Sequence, residues 1–371
     1  MSSDYYAGRL AVVTGAGSGM GRELVRQLAA SGCSVAACDL DQAALEESLA
    51  LTRDVASHGV RLSAHVGDVS ATAAVERIRD DIVAEHDARQ IDLLFNNAGV
   101  HGEDSFVVGD AAKWERVFAI CWGAVYVPCR VFLPLLAASD RAVIVNTGSV
   151  NSFYAKHGSG APCTAYAAAK FAVRGFTEAL IEDLRVNAPS VQVALVMPGT
   201  VRTGLGTNSE RILGTQGPGG RSGDGSAEFR RYLAASGVAA DDLDAAGLDA
   251  VGGVVRELFM TPAPEAVETI LDAIGNGRWR VLVGADAWEL DEAVRSRPEA
   301  TYDVDGPTQV NPDVLRALVA LVTRLDPTRI GDLTGDVALR VGHHRIVCGL
   351  RAGAVVLGRG TTNRALSAAS T

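Results

Sequence analysis

Tyr166 and Lys170 stand four residues apart in Tyr166-Ala-Ala-Ala-Lys170, a helical pattern that sets both side chains on one face. Ser149 ends the strand-like run Val145-Asn-Thr-Gly-Ser149, where its hydroxyl can hold a substrate oxygen. Far upstream, Thr14-Gly-Ala-Gly-Ser-Gly-Met-Gly21 follows an apolar run and opens a helical pattern. Gly15, Gly17, Ser18, Gly19, Met20 and Gly21 thus offer the tight turn, close backbone approach and helix N-terminus that a dinucleotide pyrophosphate needs. Asp39 ends the next strand-like run, at the distance expected of an acid that accepts from adenosine ribose hydroxyls. Its charge repels a 2′-phosphate, Leu40 follows it, and residues 15–20 hold no Arg or Lys, so NAD is favoured over NADP. In this company the Tyr-Lys pair gains meaning. An ammonium and a positive nicotinamide ring both favour the phenolate, drawing a phenol pKa of about 10 toward neutrality so that Tyr166 can exchange a proton with an alcohol.

Two more turns fall at strand ends, where open sheets bind ligands. Gly67-Asp68-Val69 places Asp68 and the Val69 backbone to take an adenine. In Asn96-Asn97-Ala98-Gly99 the small residues let the backbone near Asn97, Ala98 and Gly99 approach a cofactor, while Asn96 or Asn97 serves equally well to tie adjacent strands.

The elements that must position these groups are readable in the same stretch. Strand patterns at Leu10–Thr14, Ser34–Asp39, Arg61–Val66, Ile91–Phe95, Ala142–Asn146 and Val191–Met197 alternate with helical patterns from Gly19 and near 41–57, 70–87, 113–138 and 164–186. Such a rhythm predicts a doubly wound α/β fold with a parallel sheet. A helix over Ala266–Ile274 and a strand Trp279–Val283 close it, giving one Rossmann-type catalytic domain over 1–285. Residues 204–260 read as a substrate lid, with six glycines between Leu213 and Gly225. Residues 286–327 read as a helical extension, with a helix over 310–325 that has Pro312 at its start. The tail 328–371, with six Arg and two Asp, shows no periodicity and is expected to be a solvated extension or a swapped arm.

Composition narrows the class. A chain of 371 residues, 48% apolar and 21% charged, is long and apolar enough for a packed core, which excludes a disordered chain. A net charge of −10 argues against nucleic acid as a partner. Phe118–Ala138 nears the length of a membrane span, but Arg130 lies at its middle and a helix buried against the sheet is expected instead. The start Met1-Ser-Ser-Asp-Tyr5 lacks the pattern of a signal peptide, so the expected location is cytoplasmic. The six cysteines lack ligand spacing, so no metal is expected and buried thiols are.

Thr14–Gly21, Asn96–Gly99, Ser149, Tyr166/Lys170 and Pro198-Gly199 together resemble the compact, oxidoreductase branch of the short-chain dehydrogenase/reductase family over residues 8–203. The resemblance implies Tyr166 as catalytic acid/base, Ser149 as the residue orienting the carbonyl, and Lys170 as a ligand of the nicotinamide ribose that tunes Tyr166. It further implies that Pro198, Gly199, Val201 and Thr203 meet the carboxamide, and that the two long helices build a homodimer or homotetramer. The chain departs from the family twice. Cys121 stands where the family carries a relay Asn, and a thiol replaces a carboxamide poorly. Ser149 and Tyr166 are also separated by a longer loop, Asn151–Thr164, whose Phe153, Tyr154 and His157 are candidates for substrate contact or, equally, residues of a surface loop. The implied function is an NAD-dependent oxidoreductase acting on a small-molecule secondary alcohol or ketone. The alternatives are an NADPH-dependent 3-oxoacyl reductase and a catalytically impaired dinucleotide-binding regulator or scaffold.

Overall fold

In the computed structural model, seven parallel strands form the central sheet in the order β3-β2-β1-β4-β5-β6-β9. The structure describes residues 5–102, 105–156, 162–214, most of 229–303, 306–308 and 315–320, and the backbone of 335–341, 344–351 and 354–359. The strands are β1 (Leu10–Thr14), β2 (Ser34–Asp39), β3 (Leu62–Val66), β4 (Leu93–Asn96), β5 (Ala142–Thr147), β6 (Val191–Pro198) and β9 (Arg280–Val283). Between them run α1 (Gly19–Ala30), α2 (Gln42–Arg53), α3 (Thr72–His86), α4 (Ala111–Ala137), α5 (Thr164–Asn187), α6 (Leu205–Leu213) and α7 (Ala263–Gly275); α8 (Ala285–Ser296) follows. The order reverses between β1 and β4. That switch point opens a crevice at the strands' carboxyl ends, where ligands of open sheets bind.

Alternation along the inner strands sends side chains to two cores. Val12, Leu94 and Ile144 join Ile78, Ile82, Val125 and Phe132 on one face, while Ala11, Val13, Leu93, Phe95 and Val145 join Leu24, Leu28, Ile270 and Ile274 on the other. Both faces are covered, so these strands read as continuous apolar runs. Each buried Leu or Ile contributes about 1.5–3 kcal/mol over an exposed one.

Helix α4 is long and apolar enough by length and composition to cross a membrane. Its Cys121, Val125, Phe132 and Leu136 are buried in the protein instead, as the sequence pattern anticipates. Asp110 caps it by accepting the Lys113 N–H at 2.8 Å.

The chain divides into two compact units, one drawn from Met1–His157, Ala161–Gly220 and Thr261–Pro307, the other mainly from Arg221–Met260 and Thr308–Thr371. In the second unit Leu233, Val238, Leu243, Val251, Leu315 and Leu318 share an apolar cluster. The same unit holds a three-stranded antiparallel sheet of β10 (Gly335–Val341), β11 (His344–Arg351) and β12 (Ala354–Arg359). The segment 204–260 therefore divides: α6 belongs to the first unit, as does the short parallel pair that flanks the segment, β7 (Val201–Arg202) with β8 (Thr261–Pro262), while 229–260 contribute to the second. The tail, for which the sequence suggested no element, forms strands because successive runs pair with each other through short connections. Of the helix expected over 310–325, residues 315–320 are helical, and Pro312 lies outside the described residues. Residues 215–228, which carry most of the glycine-rich stretch, also lie outside them.

A buried polar trio joins β3 to the end of α3. The Ser63 hydroxyl lies 2.7 Å from Nε2 of both His65 and His86, so it donates to one ring and accepts from the other. Burial holds both imidazoles below their ordinary range; Arg61 adds to this at His86, and Asp81 opposes it at His65. A folded pKa below the unfolded value of about 6.5 means that the unfolded chain binds the proton better. Stability present at neutral pH is therefore lost as pH falls below about 6.5. The melting temperature should drop by several degrees from about pH 7 to about pH 5, and less in a His65→Gln/His86→Gln double variant. Equal slopes in the two proteins would contradict this.

Candidate active site

The first turn of the crevice is built by glycines with distinct tasks. Gly15 (φ 67°) and Gly19 (φ 52°) adopt backbone conformations that side chains disfavour, so the loop can wrap closely after β1. Gly21 has a different role: a Cβ there would lie 1.8 Å from the Gly15 carbonyl oxygen, so it packs the loop against α1 from behind. Ser18 caps α1 without a side-chain hydrogen bond, and no acid stands in that helix's first turn. Its N-terminal amides are thus aimed at an anion site.

Gly15, Gly17, Ser18, Gly19, Met20, Asp39, Leu40, Asp68, Val69, Asn97, Ala98 and Gly99 line one cleft of about 590 Å³. Ser149, Tyr166, Lys170, Pro198, Gly199, Val201 and Thr203 line the same cleft. Of the catalytic and cofactor-binding residues expected there, Gly21 alone does not line it. At one end, the Asp39 carboxylate accepts the Gly17 N–H at 2.8 Å and the Asp41 N–H at 3.0 Å, which fixes it at the tip of β2. Asp68 turns toward Ser70, accepting its N–H and hydroxyl at 2.9 and 2.6 Å. The bends at Gly15 and Gly19, the free helix N-terminus and the acid at the strand end together fit a dinucleotide.

The paired asparagines have separate roles. Asn96 donates to Asn146 Oδ1 at 2.8 Å and ties β4 to β5. Asn97 lines the cleft and also donates its Nδ2 to the Thr14 carbonyl at 3.0 Å. The buried Thr14 hydroxyl accepts from the N–H groups of Asn97 and Ala98, both at 3.0 Å, holding the two turns together.

At the other end stand Ser149, Tyr166 and Lys170. Ser149 caps a short 3-10 turn, Val150–Ser152, its oxygen accepting the Asn151 N–H at 3.1 Å. Its side chain stands beside the Tyr166 hydroxyl and favours the phenolate. Lys170 Nζ donates to the Thr147 carbonyl at 2.8 Å and lies 5.6 Å from the Tyr166 ring centroid. The protein's own groups do not lower the phenol: burial raises Tyr166 above its usual range, the neighbouring Cys121 adds to this, and the Ser149 side chain opposes it. Lys170 is itself pushed down by burial, which the neighbouring Cys121 opposes.

Cys121 is buried beside this group and donates to the Val100 carbonyl at 3.1 Å. Phe153 and Tyr154 are not pocket-rim residues. Both are buried in the core, where Tyr154 stacks on Tyr302 and donates to the Pro307 carbonyl, so they anchor the loop instead of meeting substrate. His157 lies outside the described residues.

Sequence spacing missed the contribution of α6. Asn208, Arg211 and Ile212 line the cleft, with Asn208 donating to Ser18 Oγ at 3.0 Å and Arg211 pairing with Asp41 at 2.7 Å. The 208/211/212 spacing was the available signal for one helix face. Nor is the Asp39 end of the cleft free of cations, as residues 15–20 alone suggested: Arg22 and Arg211 both reach it through space. Each is already held by a carboxylate, Arg22 by Glu47 at 2.6 Å and Arg211 by Asp41. Free cysteines match expectation where described: Cys33, Cys38, Cys121, Cys129 and Cys163 are buried and unbridged.

Comparison with known proteins agrees with this geometry. A sequence-family model described as short chain dehydrogenase matches residues 9–212. A Mycobacterium tuberculosis protein named as an oxidoreductase, SadH, is 30% identical over 290 residues, spanning 78% of this chain and 91% of that protein. A 1-deoxy-11-beta-hydroxypentalenate dehydrogenase of Streptomyces exfoliatus is 32% identical over 58% of this chain and 74% of its own length. Among solved structures, a short chain dehydrogenase/reductase from Burkholderia phymatum in complex with NAD superposes with a TM-score of 0.65 at 26% identity, covering 82% of this chain and 99% of its own. A short chain dehydrogenase from Burkholderia cenocepacia in complex with NADP shares the fold, with a TM-score of 0.55 at 21% identity over 81% of this chain and 99% of its own. A glycine-wrapped crevice at the switch point, a Ser-Tyr-Lys group across from it and a match over more than half the chain place this protein in the short-chain dehydrogenase family of oxidoreductases.

Proposed function

We propose that this oxidoreductase uses NAD and acts on a secondary alcohol or its ketone, with Tyr166 exchanging the proton. The observation that carries the reading is the placement of Tyr166, with Ser149 and Lys170, in the same cleft as the Asp39-bearing nucleotide end. When bound, the nicotinamide supplies or accepts the hydride. Tyr166 gives its hydroxyl proton to the substrate oxygen in reduction and takes it back in oxidation. Ser149, its oxygen already held by the Asn151 amide, turns its O–H toward that same oxygen. Lys170, fixed by Thr147, binds the ribose beside Tyr166. Asp39 selects NAD by accepting from the ribose hydroxyls and repelling a 2′-phosphate. Near Tyr166, Val100, Ile120 and Ile212 line the cleft, stacked Trp114 and Phe118 pack alongside, and the His101 ring packs edge-on to the Tyr166 ring at 4.9 Å, a mainly apolar surround that suits an apolar alcohol.

The protein works in the cytoplasm as a homodimer or homotetramer, in keeping with its free thiols and with the aromatic face of α4 and α5, where Trp122 stacks on Tyr126 beside Phe176. A binding-only regulator is the second reading. It is favoured by Cys121, whose thiol is fully engaged with Val100 and offers no carboxamide to a proton relay.

NADH formation at alkaline pH across a panel of secondary alcohols tests the main reading, with NADP in parallel. Turnover with NAD at least about tenfold above that with NADP is expected, corresponding to about 1.4 kcal/mol of discrimination. Dinucleotide binding without turnover on any alcohol or ketone would favour the regulator.

A further inference from the structure

Asp286 falls outside every motif, yet it grips the segment that leads into the cleft. It stands in the first turn of α8, just beyond β9, and is 8% exposed. Its Oδ2 accepts the Thr200 N–H at 2.6 Å. Its Oδ1 is buried without a hydrogen-bond partner among the described residues. Two glycines make room for this carboxyl: a Cβ on Gly199 would come within 2.2 Å of Oδ1, and one on Gly284 within 2.6 Å. Gly199 is therefore bare because Asp286 occupies the space a side chain would need.

Other bonds converge on the same turn. The Gly199 N–H donates to the Val283 carbonyl at 2.9 Å, and the Thr261 N–H donates to the Thr200 carbonyl at 2.8 Å. Immediately downstream, Val201 and Thr203 line the cleft, and Thr203 lies against Gly19 of the glycine loop. A half-satisfied buried carboxyl is costly, and an apolar residue would fill the site more cheaply if filling were all that was needed. A carboxylate oxygen offers something that an apolar group lacks, a strong and directional acceptor for one backbone amide.

We propose that Asp286 is a positioning residue: by holding the Thr200 amide it sets Val201 and Thr203 at the depth from which they meet the nicotinamide end of the cofactor. It touches neither substrate nor cofactor and acts through the backbone. The inference rests on the proposed use of a nicotinamide dinucleotide.

The test is the dissociation constant of NADH, set beside that of ADP-ribose, which fills the nucleotide end and carries no nicotinamide. Asp286→Ala should weaken NADH binding about tenfold, as expected for loss of one charge-assisted hydrogen bond, and leave ADP-ribose binding unchanged. Asp286→Asn retains an oxygen acceptor and should restore NADH binding to within about threefold of the parent. Asp286→Leu, which fills the space without offering an acceptor, should reproduce the Asp286→Ala pattern and serves if Asp286→Ala does not fold. Equal weakening of both ligands, or no weakening of NADH in a folded variant, would overturn the proposal. Failure of the parent protein to bind NADH would instead overturn the cofactor reading on which it rests.

Discussion

Phenylalanine at position 166 will lower kcat by about 100- to 10,000-fold while leaving the fold and dinucleotide binding in place, the range associated with loss of a positioned acid/base. The ring is 8% exposed and packs with Val100, Val117, Ala165 and Ala169, contacts that Phe preserves. Only the hydroxyl, beside Ser149, is lost. The pH dependence has a definite sign. Because burial raises the phenol, oxidation, which needs the phenolate, should accelerate as pH rises through the alkaline range. Reduction, which needs the phenol, should hold level at neutral pH and decline only in alkali. Steady-state rates of the parent and of Tyr166→Phe in both directions check this. Activity within tenfold of the parent would mean that the proton travels by another group.

Alanine at position 39 should narrow the preference for NAD over NADP by about ten- to a hundredfold in kcat/KM, as expected when a carboxylate with one or two ribose hydrogen bonds is removed. Two effects add. The ribose hydroxyls lose an acceptor, and a 2′-phosphate no longer meets a negative charge. Arg22 and Arg211 then become relevant, since each lies at this end of the cleft and could turn from Glu47 or Asp41 to a phosphate. Asp39 also receives the Gly17 amide, so part of the NAD affinity should fall through a looser glycine loop. A ratio that does not move would remove Asp39 from cofactor selection and reopen an NADPH-dependent 3-oxoacyl reductase.

Much of the fold was legible because its signals are local. Strands such as Leu10–Thr14 and Ser34–Asp39 are short β-branched or small apolar runs, and both appear with the expected bounds. Helix α5 runs Thr164–Asn187, within a residue of its predicted end, because its helical pattern is unbroken. The elements that escaped notice lack such signals. Helix α6 is only nine residues long and borders a glycine-rich stretch. β7 and β8 have two residues each and exist because distant segments pair. The Asn151–Thr164 loop misled because aromatic residues beside a site read as substrate contacts, whereas Phe153 and Tyr154 turn inward to the core.

The sequence by itself determined which groups this protein brings to a nucleotide crevice. Gly15–Gly21, Asp39, Asn97–Gly99, Ser149 and Tyr166/Lys170 each lie at a strand end or on one helix turn, where spacing along the chain dictates position. Only the tertiary structure decided how those groups are tuned and held. Burial sets the sign of the Tyr166 shift, and burial depends on Cys121, Ala165 and other residues that pack around the ring. Arg211 reaches Asp41, and Asp286 reaches Thr200, across separations that no periodicity encodes. Periodicity reports which face a residue takes on its own element. Charge, hydrogen bonding and desolvation depend on which other elements arrive at that face.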